Sequence, residues 1–385
     1  MKKIAIVTAT RAEYGLLTPL IRRIINDKEL KLELIVTGAH LSDKQEYTIN
    51  AIYEDGFPIS HIIPILEGGN SAYDISATMA NAIRGFARCF RDDRPDMVVI
   101  LGDRTEMLGI ASAAMNERIP IAHIHGGEIT EGAVDDCIRH ALTKMSYIHF
   151  TATEEYRNRV IQLGESPNRV FNVGSLGTEN ILNEKLMNEN EIRDDIGISL
   201  DKKYSVVTFH PVTLEDETAE DQARTICDVI ANRIDIIFVI TKANADKGGE
   251  IVNRIFEKFS EKYRNAILVH SLGMRKYLSA VKFAEFVMGN SSSGILEAPV
   301  LGTPTVNIGD RQKGRIMVDT IINCPCDRNK ILDSLDQVRK IHRNKTRIYG
   351  NGETSKRIVT EIKNIFDNGI FLKKGFYDIG RLGGK

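Results

Sequence analysis

At 385 residues the chain is longer than one hydrophobic core usually serves, so two domains are expected. Apolar residues make up 42% and charged residues 27%, which excludes a disordered or fibrous chain. The formal net charge of -1 excludes a general polyanion binder such as a nucleic-acid protein; a local basic pocket for one diphosphate would not show in that total.

The N-terminus Met1–Val7 is apolar enough to be weighed as a signal peptide, but the run stops at Thr8 and Arg11 and Glu13 follow at once. It reads as a first strand. No apolar run approaches the ~20 residues that span a bilayer. The five cysteines (Cys89, Cys137, Cys227, Cys324, Cys326) are odd in number and scattered, and Cys324-Pro325-Cys326 lacks the spacer of a zinc knuckle. Reduced thiols and a cytoplasmic protein without membrane contact are the expectation.

In chain order, short β-branched runs alternate with longer amphipathic stretches. Lys3–Val7, Leu32–Val36, Met97–Leu101, Ile119–His123 and Ile148–Thr151 read as strands, and their continuous apolar character predicts a parallel sheet buried on both faces. Gly15–Asn26, Ile75–Phe90 and Thr105–Glu117 read as helices between them, with Ser71 or Asp74 capping the second. The rhythm weakens around 174–203, where the domain junction is placed. A second series follows: Tyr204–Phe209, Ile234–Ile240, Ala266–Val269, Phe286–Met288 and Thr305–Ile308. The expectation is an α/β protein of two Rossmann-like, doubly wound domains facing a cleft. Its spans are 1–175, 176–365 and a partly mobile tail 366–385. Ligands of such sheets bind at the carboxyl ends of the strands.

Polar or glycine-rich residues sit after nearly every strand. Thr8–Gly15 matches neither GxGxxG nor a P-loop, but Arg11 at a helix start adds a cation to amides that already favour anions; a solvated arginine is an equal alternative. Gly102-Asp103-Arg104 places an acid and a base at a strand end, where they could also pair with each other or cap the next helix. His123-Ile124-His125-Gly126-Gly127-Glu128, followed by Asp135, Asp136, Arg139 and His140, supplies acid–base groups. It could equally supply metal ligands for a metallohydrolase. One of the two histidines is expected to hold backbone carbonyls; His125, bordering the Gly-Gly turn, is preferred as the functional one.

In the second half, His210 precedes Pro211 at a strand end, where it can donate to a phosphate or simply cap the loop. Asn244 is a turn former or a ligand for uracil or phosphate. Gly289-Asn290-Ser291-Ser292-Ser293-Gly294-Ile295-Leu296-Glu297 offers backbone amides and hydroxyls to an anion, with Glu297 one turn on to accept the hydroxyls of a ribose. Gly309-Asp310-Arg311-Gln312 brings Arg311 to the same edge.

Together these segments resemble the UDP-N-acetylglucosamine 2-epimerase family, in family order over roughly residues 1–370. Gly-Asp-Arg and His-Gly-Gly-Glu resemble the hydrolysing branch that feeds sialic-acid and legionaminic-acid synthesis. The resemblance implies a glycosyltransferase-B-like fold whose C-terminal helix crosses back to the first domain. It also implies a UDP-sugar substrate, a homodimer or homotetramer, and no cofactor or metal. It implies that Arg11, His210, Asn244, Ser291, Ser292, Glu297 and Arg311 hold UDP, that Arg104 faces the diphosphate or sugar, and that Asp103 and Asp135 act in catalysis. Where some relatives carry a glutamate before Gly-Gly this chain has His125, so the acid–base role lies between His125 and Glu128; Gly15 stands where some relatives place a UDP-contacting serine. The implied reaction converts UDP-GlcNAc to ManNAc and UDP by elimination through a 2-acetamidoglucal and then hydration, with the same reaction on UDP-N,N'-diacetylbacillosamine as the alternative. A retaining glycosyltransferase, a non-hydrolysing epimerase and a nucleotide-sugar sensor are the competing readings.

Overall fold

The computed structural model describes residues 1–42, 47–69, 71–129, 134–211, 218–243, 249–270 and 272–380. The first sheet contains β1 (Lys2–Thr8), β2 (Leu30–Thr37), β3 (Ile59–Ile63), β4 (Met97–Leu101), β5 (Ile121–Ile124), β6 (Ile148–Thr151) and β7 (Val170–Asn172). All pairs are parallel, in the order β3-β2-β1-β4-β5-β6-β7. The second contains β8 (Tyr204–Thr208), β9 (Ile237–Thr241), β10 (Ala266–Val269), β11 (Val287–Gly289), β12 (Thr305–Ile308) and β13 (Ile321–Cys324). It is also parallel, in the order β10-β9-β8-β11-β12-β13. Both are doubly wound, with topological switch points between β1 and β4 and between β8 and β11.

The continuous apolar runs follow from burial on both faces. Ile4 and Ile6 of β1 join Leu17, Leu20 and Ile21 of the helix Arg11–Ile25 in one core cluster. Ala5 and Val7 point the other way, into a cluster with Phe86, Phe90, Met107 and Ile110. Each fully buried large aliphatic side chain contributes about 1.5–3 kcal/mol. Ser71 is the N-cap of the helix Ala72–Asp92, in a reciprocal capping box with Asp74. Strands β3, β7 and β13 escape the sequence pattern. They are short, and β3 is an edge strand with alternating burial and His61 at its centre.

The chain divides into two compact units, residues 1–180 with 348–385, and 181–347. The second unit is therefore shorter than the expected span 176–365. The helix Thr354–Asp367 belongs with the first unit because its buried Ile358, Val359 and Ile362 complete that unit's core. Glu179 fixes its start, accepting from the Ser355 amide and hydroxyl at 2.6 Å each. The tail, expected to be partly mobile, is tied to the first unit as far as Tyr377, whose amide donates to the Gly164 carbonyl at 2.9 Å. Residues 381–385 lie outside the described residues. Among the described residues no helix is long and apolar enough to cross a membrane. All five cysteines are free thiols.

Candidate active site

In the first unit the charged residues after β1, β4 and β5 converge. Asp103 follows β4, and its carboxylate pairs with the guanidinium of Arg139, which is 5% exposed. Arg139 also donates to the Glu128 carbonyl at 2.8 Å and reaches Asp136 at 3.4 Å. Burial pushes the Asp103 carboxyl above its ordinary range, and the charges of Asp135 and Glu128 add to that, while Arg139 opposes it. Asp135 is exposed, in the first turn of the helix Val134–Met145.

The two histidines of the β5 end are differently placed. His123 is fully buried, with Nε2 donating to the Gly102 carbonyl at 2.7 Å and Nδ1 3.2 Å from the Thr143 hydroxyl. Burial pulls it down to about 3, so it stays neutral. It is the histidine that holds a backbone carbonyl. His125 has φ +67°, a left-handed conformation that costs a non-glycine residue of order 1–3 kcal/mol and persists where the surroundings impose it. Its Nδ1 lies 2.9 Å from Glu128 Oε1, and its buried Nε2 has no hydrogen-bond partner. A metallohydrolase site would need both rings to converge on an ion, whereas both His123 nitrogens already have partners. Among the described residues the group with metal-ligand spacing is Glu33, His61 and Asp93, which the Lys3 ammonium already bridges through Glu33 and Asp93.

Arg104 does not pair with its neighbour Asp103. It is the N-cap of the helix Thr105–Asn116, and its Nε donates to Glu106 at 2.6 Å. Arg11 is exposed in the first helical turn after Thr10. Beside these lies Glu13, in the same first helical turn as Arg11. It is 6% exposed, accepts from the Ala9 amide at 3.0 Å through Oε2, and leaves Oε1 without a partner. Burial pushes its carboxyl up to about 7, against the lowering effect of Arg104. Glu13 is the neighbour that the motif reading left out of the site, and Arg139 and His140 were named with the motif but given no individual role.

In the second unit the ends of β8, β9 and β11 enclose a cavity of about 780 Å³, within the range of small-molecule sites. It is lined by His210, Lys242, His270, Tyr277, the three serines Ser291–Ser293 and Glu297, among others. Ser291 is the N-cap of the helix Ser292–Leu301, accepting from the Ser293 amide. The N-terminal amides of that helix form an anion-favouring end. Glu297 accepts from the Ser293 hydroxyl, and burial pushes its carboxyl up. Asn290 staples the switch point: its Oδ1 accepts from the His210 amide at 2.8 Å and its Nδ2 donates to the His210 carbonyl at 2.7 Å. Arg311 is exposed and donates to the Asn290 carbonyl at 3.2 Å, so it braces the turn rather than lining the cavity. Asn244 lies outside the described residues. His270, Met274 and Tyr277 enter the lining from β10 and the next helix, segments without a polar motif.

A model of the UDP-N-acetylglucosamine 2-epimerase family matches residues 22–363. The chain is 44% identical over 323 residues to the GDP/UDP-N,N'-diacetylbacillosamine 2-epimerase (hydrolyzing) of Campylobacter jejuni, covering 84% of each chain. It is 41% identical over 339 residues to polysialic acid biosynthesis protein P7 of Escherichia coli, covering 87% of this chain and 86% of that one. Its fold matches the crystal structure of UDP-GlcNAc 2-epimerase from Neisseria meningitidis bound to UDP-GlcNAc, with TM-score 0.80 and 19% identity over 95% of this chain and 100% of that one. On the span of the family match and the identity to relatives aligned over more than four-fifths of their length, the chain belongs to the UDP-N-acetylglucosamine 2-epimerase family.

Proposed function

We propose that the protein is a hydrolysing 2-epimerase of a UDP-2-acetamido sugar, with UDP-N,N'-diacetylbacillosamine as the substrate. The observation that carries the substrate is the 44% identity to a hydrolysing enzyme named for the GDP- or UDP-linked form of that sugar, beside 33% identity to one named for the UDP-linked form. UDP-GlcNAc is the second reading, favoured by the name of the family model and by the ligand named for the matching Neisseria structure.

In this reading a base removes the proton at C2 while the C1–O bond breaks and its electron pair leaves with UDP, giving a 2-acetamidoglycal. Water then adds at C1 and C2 is protonated from the opposite face. One water is consumed, and the 2-epimeric free sugar and UDP are released. The C2 proton is weakly acidic, so the base must be well placed and the leaving diphosphate well stabilised.

The second requirement falls to the amide-rich start of the helix Ser292–Leu301, with Ser291, Ser292 and His210 beside it and Glu297 toward the ribose. Arg11 and Arg311 are exposed cations on strand-end turns, and the reading gives them to the diphosphate, with Arg311 also bracing Asn290. Proton transfer falls to Asp103, Asp135 and the His125–Glu128 pair, and the charge of Asp135 also helps to keep the Asp103 carboxyl basic. His125 offers Nε2 to the reacting sugar while Glu128 orients the ring through Nδ1.

The test is incubation with each sugar nucleotide alone in H₂¹⁸O and in D₂O. The reading expects free UDP, label at C1, deuterium at C2 and inverted C2 configuration. Unchanged substrate in the absence of an acceptor, or a released sugar with its C2 configuration retained, would sink it. The ratio of kcat/KM for the two sugar nucleotides decides between the two substrates.

A further inference from the structure

Two helices of the first unit reach from the acid–base cluster to a common point elsewhere in the unit. The helix Val134–Met145 carries Asp135, Asp136 and Arg139 in its first half and Lys144 at its last turn. The helix Glu154–Gln162 packs on the His125–Glu128 turn. A side chain at Gly127, where φ is +82°, would bring its Cβ to 2.3 Å from the Tyr156 carbonyl, and Arg159 donates to the Gly127 carbonyl.

The far ends of both helices meet the C-terminal segment. Glu165, 1% exposed, accepts from Lys144 and from Lys374 of the tail, the latter at 2.9 Å, and lies 3.2 Å from His149 Nε2. Burial pushes its carboxyl up, but the hydrogen bonds from His149, Lys144 and Lys374 outweigh it and hold it at about 2, so it is ionised throughout the physiological range. Lys374 also donates to the Ser146 carbonyl at 2.7 Å, placing a cation at the negative end of the helix Val134–Met145. Phe376 covers Gly164, where an added Cβ would fall 2.3 Å from its ring, and the Tyr377 amide donates to the Gly164 carbonyl. The Phe371 amide donates to the Tyr147 hydroxyl at 3.2 Å.

We propose that the segment Phe371–Tyr377 is a positioning strap for catalysis, with Lys374 its principal residue. It fixes the distal ends of the two helices whose other parts set Arg139, Asp135 and the His125–Glu128 turn. Lys374 is a positioning residue and touches no substrate. The strap's effect on turnover rests on the hydrolysing-epimerase reading; its mechanical coupling to the turn does not. The nucleotide cavity is lined only by residues of the second unit, and Arg11, the first-unit residue given to the diphosphate, is not among the strap's partners, so loss of the strap leaves UDP binding intact.

Three chains are compared with the full-length protein: one ending at Gly369, one carrying Lys374→Met and one carrying Lys374→Arg. The first two should lose about ten- to a hundredfold in kcat for UDP release, as expected when a catalytic group is misplaced by roughly 1 Å. KM and calorimetric UDP affinity should stay within about twofold, and Lys374→Arg should restore most of the rate. Amide hydrogen exchange at Gly126–Glu128 should accelerate in Lys374→Met. Unchanged kcat in Lys374→Met, or UDP affinity falling in step with kcat, overturns the proposal. A shortened chain that does not fold leaves the decision to Lys374→Met. If the full-length protein releases UDP from neither sugar nucleotide, the functional reading fails, and exchange at Gly126–Glu128 alone decides the strap: faster exchange supports it and unchanged exchange refutes it.

Discussion

Arg139 and Asp103, 36 residues apart in sequence, form an ion pair that joins the end of β4 to the helix Val134–Met145. The same guanidinium holds the Glu128 carbonyl, so one side chain ties together the three segments that carry the acids. Because Arg139 opposes the effect of burial on Asp103, its removal should raise that carboxyl further. Arg139→Met should therefore move the acidic limb of the kcat/KM–pH profile upward as well as lowering its plateau. A plateau that falls with no movement of the limb would show that Arg139 acts on geometry alone.

Asp103→Asn and Asp135→Asn should each bind UDP as the parent does and lose turnover by about 10²–10⁴, the usual weight of a general acid or base. Calorimetry with UDP and a coupled UDP-release assay read the two effects separately. Near-parental activity in either variant removes that residue from proton transfer.

His125 carries backbone strain that glycine would not feel. His125→Gly should lower kcat by at least about 10²-fold. Its unfolding free energy should be unchanged or raised by about 1 kcal/mol, because the left-handed conformation is free for glycine. A stability loss instead would mean that the Glu128 contact outweighs the strain.

Ser292→Ala combined with Glu297→Ala should weaken UDP binding by about tenfold or more, in line with two lost hydrogen bonds at about 1 kcal/mol each. Unchanged calorimetric affinity would refute the nucleotide assignment of the cavity.

Glu13 sits at about 7 in the folded chain against an ordinary 4.5. The native state thus binds its proton more tightly than the unfolded state. That contribution to stability is whole below pH 4.5 and is lost as pH rises toward about 7. Glu13→Gln, which keeps an acceptor for the Ala9 amide and carries no charge, should remove this slope. Urea unfolding of both chains at several pH values should show their difference growing over that window and level above it. A pH-independent difference would place the proton elsewhere.

The central strands and their loops were legible because burial on both faces leaves an unbroken apolar signature, as in Met97–Leu101 and Ile148–Thr151, and because polar residues stand out immediately after it. The edge strands were not: Ile59–Ile63 alternates, and Val170–Asn172 is three residues long. The serine loop was readable as a strand-end turn that opens a helix from its local order alone, and with Glu297 it lines the cavity of the second unit. The partners that tune the acids were not, since the Arg139–Asp103 pair and the burial of Glu13 are properties of tertiary packing. Arg104 shows the limit from the other side: its motif was visible, but its pairing with Glu106 was not.

The first unit is assembled from both termini, with the helix Thr354–Asp367 closing a core begun by the helix Arg11–Ile25. During synthesis at about 5–20 residues per second, the N-terminal sheet leaves the ribosome with one flank of that core uncovered, and it stays so until the whole second unit has been made. Residues 181–347 are contiguous and meet no such delay. The protein should therefore be born in reverse order, its later-encoded half folded first and its earlier-encoded half waiting for the last helix. Stalled or prematurely terminated chains would leave uncovered the part of this core that Ile358, Val359 and Ile362 close, open to chaperones and proteases.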